Sequence, residues 1–575
     1  MEQSYIVVAA GQDLAYLDER RWLHLCARTG SMQFLSPPPQ REGDILGLCD
    51  GDSVREITYT EAGNDVRALA TYFNSIGLEG RKIAVTGKNS YFWAITYLAV
   101  CAGTGIILPV DKDLRSDETA FILSDSEASA IVYSPETAAK INECEFSGIK
   151  INMADLPELI EKGKSLIESG DTSYARHKVD PFALGILLYT SGTTGIAKGV
   201  MLSQNNICSN IVHVMRRVSL DETERTLSIL PLHHTYECVA GFLAFFYSGA
   251  SIAYNDSINR LKANLVLFKP TVLVTVPLVL EMLYHNIVST YSRIKGGKAV
   301  LAAQKAAARL AGDAARRKIF HSVSEAMGGR LRRILVGAAA LRPDVFEDFQ
   351  LFGFRVMVGY GLTETSPVCI MHDDFYQCPY DTGFPLVGVQ CRICDPNEDG
   401  IGELAVKGSN VMLGYYKNPE ETEKVMRDGW FYTGDLAKQT ENGAYCITGR
   451  IKSMIVLQNG KKVFPEEQET FISRSPLVKE CMVHLTERNG KKVLAVTIYP
   501  NSEAIQAESE KRGMTASELL SEVVSGVNKG FPSYKHIFEI IIRDNEFVKT
   551  TTGKIKRNAA ENAEERKDED EERLG

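Results

Sequence analysis

The stretch GILLYTSGTTGIAKGVMLS, residues 185–203, decides how the fold is read. An apolar run, Ile186 to Leu188, opens into hydroxyls, glycines and a lysine, and a second apolar run from Val200 to Leu202 closes it. That is the profile of an anion-holding loop between two strands. Glycines let backbone N–H groups converge, Thr190, Ser191, Thr193 and Thr194 add donors, and Lys198 adds a positive charge. The spacing does not match a Walker loop. Counted from Gly192, the second glycine of that motif would fall at Ala197, and Lys198 is followed by Gly199.

On either side of the loop, strand-like runs alternate with helical stretches: KIAVTG (82–87), SAIVYS (129–134), TVLVTV (271–276), RILVG (333–337) and FRVMVGYG (354–361). This alternation, sustained to about Thr448, predicts an α/β protein with doubly wound layers and ligands beyond the carboxyl ends of the strands. From about Gly402 shorter, hairpin-like strands with frequent glycine take over, and an α+β stretch runs to about Lys556. Residues 561–575 are dominated by acidic side chains with no apolar period, which predicts a disordered tail.

A chain of 575 residues is long enough for several cores. The formal charge of −9 argues against a general nucleic-acid binder. Twelve scattered cysteines do not make a disulfide scaffold, and no basic leader with an apolar core opens the sequence, so a cytosolic, reducing location is expected. Cys391 and Cys394 form a CxxC without a second pair nearby, and they read as packed thiols on a strand. Residues 89–110 carry no charge and could cross a bilayer by length, but Gly103-Thr104-Gly105 and Pro109 break them into a buried helix and a short strand.

The segment YTGDLAKQTENGAYCITGR (432–450) yields a pairing by arithmetic. In a symmetric hairpin about an Asn442-Gly443 turn, facing residues have numbers that sum to 885, which pairs Asp435 with Arg450. Such a pair is either an exposed cross-strand ion pair or a grip on vicinal hydroxyls such as those of ribose; the sequence leaves both open. GYGLTET (359–365) places Tyr360, Thr363 and Glu364 at a strand end, where a ring, a hydroxyl and a carboxylate could serve one nucleotide, or simply form a polar turn. KTTTGKIKR (549–557) presents Lys554 in a hydroxyl-rich turn.

Taken in order, the loop at 185–203, LPLHHTYE (230–237), VGAAAL (336–341), GYGLTET, GELAVKGSNVMLGYYKNPEET (402–422), GWFYTGDL (429–436), GRIKSMIVLQNGKKVFPEE (449–467) and KTTTGKIKR resemble the signatures of the AMP-forming adenylating superfamily. That superfamily comprises acyl- and aryl-CoA synthetases, nonribosomal peptide adenylation domains and luciferases. The resemblance implies a large N-terminal domain of doubly wound α/β subdomains plus a distorted β-barrel over 1–451, then a small mobile α+β lid over 452–560 hinged at Lys452. It implies that Thr190, Ser191, Gly192, Thr193, Thr194 and Lys198 hold the β and γ phosphates of ATP. Tyr360 would stack on adenine beside Gly361 and the strand end Gly337-Ala338-Ala339, where the family more often has Gly-Gly-Ala. Thr363 would meet the α-phosphate, Glu364 would help bind Mg²⁺, and Asp435 with Arg450 would hold the ribose. Lys554 would neutralise charge during adenylation, and the strand of Gly460 would line the CoA channel in the second step.

Amino-acid adenylation domains usually carry an aspartate after the LPL block to bind the substrate amine. Here that segment, HHTYECVAGFLAFFYSGASIAY (233–254), has no aspartate and is rich in apolar and aromatic residues. An uncharged acyl tail fits it better than an ammonium. The resemblance is strongest to bacterial long-chain fatty acyl-CoA synthetases, which puts His234 and Gly241 in the acid pocket. CoA is then the expected acceptor, with a separate acyl carrier protein, or an aryl or other acid as substrate, as alternatives. Finally, Tyr291 to Arg333 holds eleven basic residues against only Asp313 and Glu325, with an alanine-rich middle that predicts a helix. It is either a solvated helical face or a patch attracting an anionic membrane or the phosphates of CoA.

Overall fold

The structure, a computed structural model, describes residues 46–50, 53–190, 197–457, 461–488, 491–549, 555 and 557. The chain divides into two compact units, Met1–Val212 with Met412–Lys417, and His213–Val411 with Asn418–Gly575. Across them runs a mixed α/β arrangement, a large N-terminal domain followed by a smaller C-terminal one.

In the first unit the strand order is Gly414–Tyr415, Lys198–Ser203, Leu184–Thr190, Ile106–Pro109, Lys82–Thr86, Ala130–Tyr133 and Ile149–Asn152. The strands from Leu184–Thr190 to Ile149–Asn152 are parallel. Ile83, Ile107 and Ile131 in its middle are fully buried, because helices cover both faces of such a sheet and leave no polar side for alternation. The helix Tyr59–Ser75 starts at a reciprocal cap: Thr58 Oγ1 accepts from the Glu61 N–H at 3.1 Å, and the Glu61 carboxylate accepts from the Thr58 N–H at 2.8 Å. The uncharged stretch 89–110 is the helix Tyr91–Gly103 followed by the strand Ile106–Pro109, as its glycines and proline predict. Among the described residues no helix is long and apolar enough to cross a membrane.

The second unit carries a sheet ordered Phe384–Pro385, Val368–Met371, Arg355–Gly361, Arg333–Val336, Val272–Thr275, Arg225–Ser228 and Ser251–Tyr254. From Arg355–Gly361 to Ser251–Tyr254 these strands are parallel, so their carboxyl ends share one edge. Gly337, Tyr360 and the segment that follows Ser228 all leave the sheet at that edge, where the doubly wound arrangement places ligands. Next comes a five-stranded antiparallel sheet of Val389–Cys394, Gly402–Gly408, Met426–Arg427, Trp430–Gln439 and Tyr445–Arg450. The C-terminal domain packs the helices Pro465–Ile472 and Ala516–Asn528 on the strands Val478–Arg488, Lys491–Pro500 and Ile537–Ile542 through a core that includes Ile472, Val483, Val496, Ile498 and Leu520.

The hairpin that carries Asp435 and Arg450 differs from its sequence reading in an instructive way. The turn has three residues, not two: the Thr440 N–H donates to the Ala444 carbonyl at 2.8 Å, and Gly443 takes φ 85°, the left-handed position that favours glycine. Near the turn the pairs are therefore Gln439 with Tyr445 and Ala437 with Ile447, one number short of the expected sum. An extra residue on the second strand, Thr448, forms a bulge that restores the sum, so Leu436 faces Gly449 and Asp435 faces Arg450. Two offsets cancel, and the expected pair forms.

Candidate functional site

In the first unit, the ends of two antiparallel strands bring Thr190 opposite Lys198. Thr190 Oγ1 donates to the Lys198 carbonyl at 3.5 Å, and the Lys198 ammonium lies 5.2 Å from the centroid of the Tyr415 ring. The glycine- and hydroxyl-rich segment between these two residues therefore starts and ends at one point. The expected contacts Ser191, Gly192, Thr193 and Thr194 lie outside the described residues, as do Gly460, Lys554 and the acidic tail.

In the second unit, Asp435 is the centre of a three-residue chain. Its Oδ2 accepts from the Tyr360 hydroxyl at 2.5 Å and its Oδ1 accepts from Arg450 Nε at 2.7 Å. Its backbone N–H donates to Thr433 Oγ1 at 3.1 Å. Asp435 is only 2% exposed, so it is not the exposed member of a surface ion pair, and a position at a hairpin mouth does not keep it out of the core. Both oxygens of the buried carboxylate receive strong donors, which offsets the cost of taking it out of water. Burial and the Asp435 charge push the Tyr360 phenol well above its usual range. Burial disfavours the Arg450 cation, but Asp435 outweighs it and raises that pKa. The Arg450 side chain remains partly exposed, available to a ligand.

Beside this chain, the strand Arg355–Gly361 ends in the turn Thr363–Thr365. Gly361 is required there: a Cβ would lie 1.8 Å from the Pro367 carbonyl oxygen. Asn410 Nδ2 donates to the Thr365 carbonyl at 2.9 Å and holds the turn in place. Thr363 Oγ1 accepts from Thr235 Oγ1 at 3.3 Å, and Glu364 sits half-buried on the same turn. Gly337 packs against the Tyr236 ring, and Ala338 takes φ 71°, where the glycine more usual in the family would be unstrained.

The segment after Leu230 therefore supplies two contacts that the sequence reading did not assign, Thr235 and Tyr236. The rings of His233 and His234 meet at a tilt of 50°, with centroids 4.1 Å apart. The chain then enters a π-helix, Glu237–Leu243, whose wide turn is a frequent mark of functional sites. Glu237 is fully buried. Burial pushes its carboxyl up to about 8, against smaller opposing effects from the Ser228 hydroxyl and the Leu230 backbone. A Cβ on Gly241 would lie 2.6 Å from that carboxylate, so glycine is what lets Glu237 fit. A segment chosen for lacking aspartate thus contains a carboxyl group after all, held neutral near pH 7. Its signal in the sequence is one acid among apolar residues, with a glycine four positions later on the same helical face.

A profile described as AMP-binding enzyme matches residues 39–416, more than half of the chain. The chain belongs to the AMP-binding enzyme family. A second profile, the C-terminal domain of AMP-binding enzymes, matches residues 452–567. This AMP-binding enzyme is 28% identical over 501 residues to a long-chain-fatty-acid–CoA ligase of Mycobacterium bovis, covering 82% of this chain and 81% of that one. It is also 28% identical to a chloroplastic long-chain-fatty-acid–[acyl-carrier-protein] ligase of Arabidopsis thaliana, covering 84% and 78%. Among solved structures, ATP-bound MatB from Rhodopseudomonas palustris shares the fold, with a TM-score of 0.73 at 23% identity over 94% of this chain and 99% of that one. In the AMP-binding enzyme described here, Lys452 follows Arg450 within the 3₁₀ turn Ile451–Ser453 that leads into the C-terminal domain.

Proposed function

We propose that this chain is an ATP-dependent, AMP-forming fatty acid:CoA ligase that works through an acyl-adenylate. Glu237 carries the choice of acid. Its carboxyl is buried and kept neutral by desolvation beside Gly241, and the segment around it is mostly apolar and aromatic, surroundings that suit an uncharged acyl tail. The names of the Mycobacterium and Arabidopsis relatives support the same substrate class.

In the first step the acid's carboxylate attacks the α-phosphorus of ATP, the bond to the bridging oxygen breaks, and pyrophosphate leaves. Lys198 with the hydroxyls of Thr190, Ser191, Thr193 and Thr194 holds the β and γ phosphates, with Gly192 opening the loop. Tyr360 stacks on adenine, Asp435 and Arg450 hold the ribose, Thr363 meets the α-phosphate, and Lys554 neutralises the charge that builds on it. Glu364 fits a Mg²⁺ ion: it is a single half-exposed carboxylate, and among the described residues no group of three His, Cys, Asp or Glu forms an all-protein cage. An ion that takes most of its ligands from phosphates and water needs no more. Bound there it would supply charge neutralisation. In the second step the lid, residues 452–560, swings about Lys452, the segment of Gly460 replaces Lys554, and the CoA thiol attacks the acyl carbon and expels AMP. A cytosolic enzyme with peripheral contact at an anionic membrane suits an acid that partitions into bilayers.

Acid-dependent ATP–pyrophosphate exchange across a chain-length series tests this reading. Exchange with saturated fatty acids and none with amino acids is expected; release of ADP, or exchange only with aryl acids, would overturn it. The Arabidopsis relative's name favours a carrier protein as a second acceptor, and thioester formation with CoA against an acyl carrier protein decides between them.

A further inference from the structure

The helix Gly297–Arg309 buries Gly297, Leu301 and Ala308 yet still leaves apolar side chains on its water-facing side. Its inward face is partly polar: Gln304 Nε2 donates to the Ile319 carbonyl at 2.9 Å, and Lys305 pairs with Asp348 at 2.5 Å. Its outward face is apolar, with Val300, Ala303, Ala307 and then Leu310 exposed at three- and four-residue intervals. Leu310 is 95% exposed, Val300 51%, and Ile294 in the preceding turn 59%. Water is a poor neighbour for three large aliphatic side chains grouped on one helix and its flanking residues.

Cations surround this face. Of the eleven basic residues between Tyr291 and Arg333, Lys305, Arg316, Arg332 and Arg333 are neutralised by Asp348, Asp313, Glu224 and Asp374. Arg293, Lys295, Lys298 and Arg309 flank Ile294, Val300 and Leu310, are exposed, and make no ion pair among the described residues. Exposed aliphatic residues ringed by unpaired cations, in a chain of net charge −9, form a local reversal of sign.

We propose that the helix Gly297–Arg309, with the turn before it and Leu310 after it, is a docking surface for an anionic phospholipid bilayer. The cations meet the phosphates of the headgroups, and Ile294, Val300 and Leu310 enter the boundary with the acyl chains, the arrangement of an interfacial helix. A protein partner with an acidic face would satisfy the cations but leave the three aliphatic side chains exposed, so the bilayer accounts for both halves of the surface. Docking itself is independent of which acid is activated; only its benefit, access to an acid dissolved in the membrane, rests on the fatty-acid reading.

Co-sedimentation of the full chain with vesicles, without ATP or acid, tests the docking. Binding is expected to vesicles of phosphatidylcholine with phosphatidylglycerol and not to phosphatidylcholine alone, and it should weaken steeply as salt rises above about 0.1 M. The triple variant Lys295→Ala, Lys298→Ala, Arg309→Ala should bind roughly 100-fold more weakly, at about fivefold per cation. Leu310→Asp should lose about tenfold or more while every cation remains. All four positions are exposed, so urea midpoints should be unchanged, and exchange with a water-soluble acid should be unaffected. No binding to anionic vesicles, equal binding to neutral ones, or unchanged binding by both variants would overturn the proposal; the last outcome would point to an acidic protein on this face.

Discussion

Glu237→Gln isolates the buried carboxyl on which the proposed choice of acid rests. The native carboxyl is pushed from 4.5 to about 8 by complete burial. At 1.36 kcal/mol per unit, this places the ionised form roughly 5 kcal/mol above where it stands in water. The folded state therefore holds the Glu237 proton more tightly than the unfolded state does. Between about pH 4.5 and 8 the unfolded chain has lost that proton and the folded chain has not. Native stability then falls as pH rises, by about 1.4 kcal/mol per unit from this group alone. Glutamine has nearly the same shape and no proton to lose, so the variant should lack this slope. The assay is urea unfolding of both proteins at intervals from pH 5 to pH 8. Their difference should change steadily in the variant's favour, because Glu281, pushed up to about 7 by burial, titrates in both and cancels. Parallel curves across the window would refute a neutral, buried Glu237. Exchange at pH 7 supplies a functional arm: a neutral isostere should leave turnover of a fatty acid within a few-fold of wild type. Exchange with an aminated acid in the native enzyme that Glu237→Gln abolishes would mean that Glu237 is a charged partner and that the acid has been misassigned.

Tyr360→Phe removes one of the two side-chain donors to Asp435 and should cost about 1.5–3 kcal/mol of stability by urea unfolding, with an unchanged midpoint counting against the bond. Asp435→Asn should raise the KM for ATP at least tenfold while destabilising the fold as well, because Arg450 loses its charge partner; an unaltered KM would remove Asp435 from the nucleotide site. Gly241→Ala forces a Cβ to within 2.6 Å of the Glu237 carboxylate and should cost about 1–3 kcal/mol and shift the chain-length profile of exchange; an identical profile would separate Gly241 from the acid pocket. Lys554→Ala should slow adenylation roughly 100- to 1,000-fold yet spare thioester formation from supplied acyl-adenylate. Lys452→Pro should do the reverse, and equal losses in both steps would refute the lid swing.

What the linear chain determined by itself is what depends on neighbours in sequence. Alternating apolar runs and glycine-rich strand ends are local, and they dictated parallel layers with the candidate site segments of Gly337 and Tyr360 at the carboxyl edge. The helix-then-strand break within residues 89–110 was legible for the same reason: proline and paired glycines act on their own backbone. The pairing of Asp435 with Arg450 was legible only because an unforeseen third turn residue and an unforeseen bulge cancelled. Register propagates from every residue between, and sequence patterns do not mark bulges. Tertiary structure alone decided the rest. Tyr360 lies 75 positions from Asp435, and no local rule brings a phenol to that carboxylate. Whether Glu237 is a charge or a neutral filler depends on the number of atoms that exclude water from it, a property of the packed whole. The helix Gly297–Arg309 makes the point most directly: composition predicted a helix, but only its packing, with Leu301 and Ala308 buried and Gln304 and Lys305 held by Ile319 and Asp348, left Val300 and Leu310 facing out. A periodic pattern says that a helix has two faces, and the partners it packs against choose which of them is hidden.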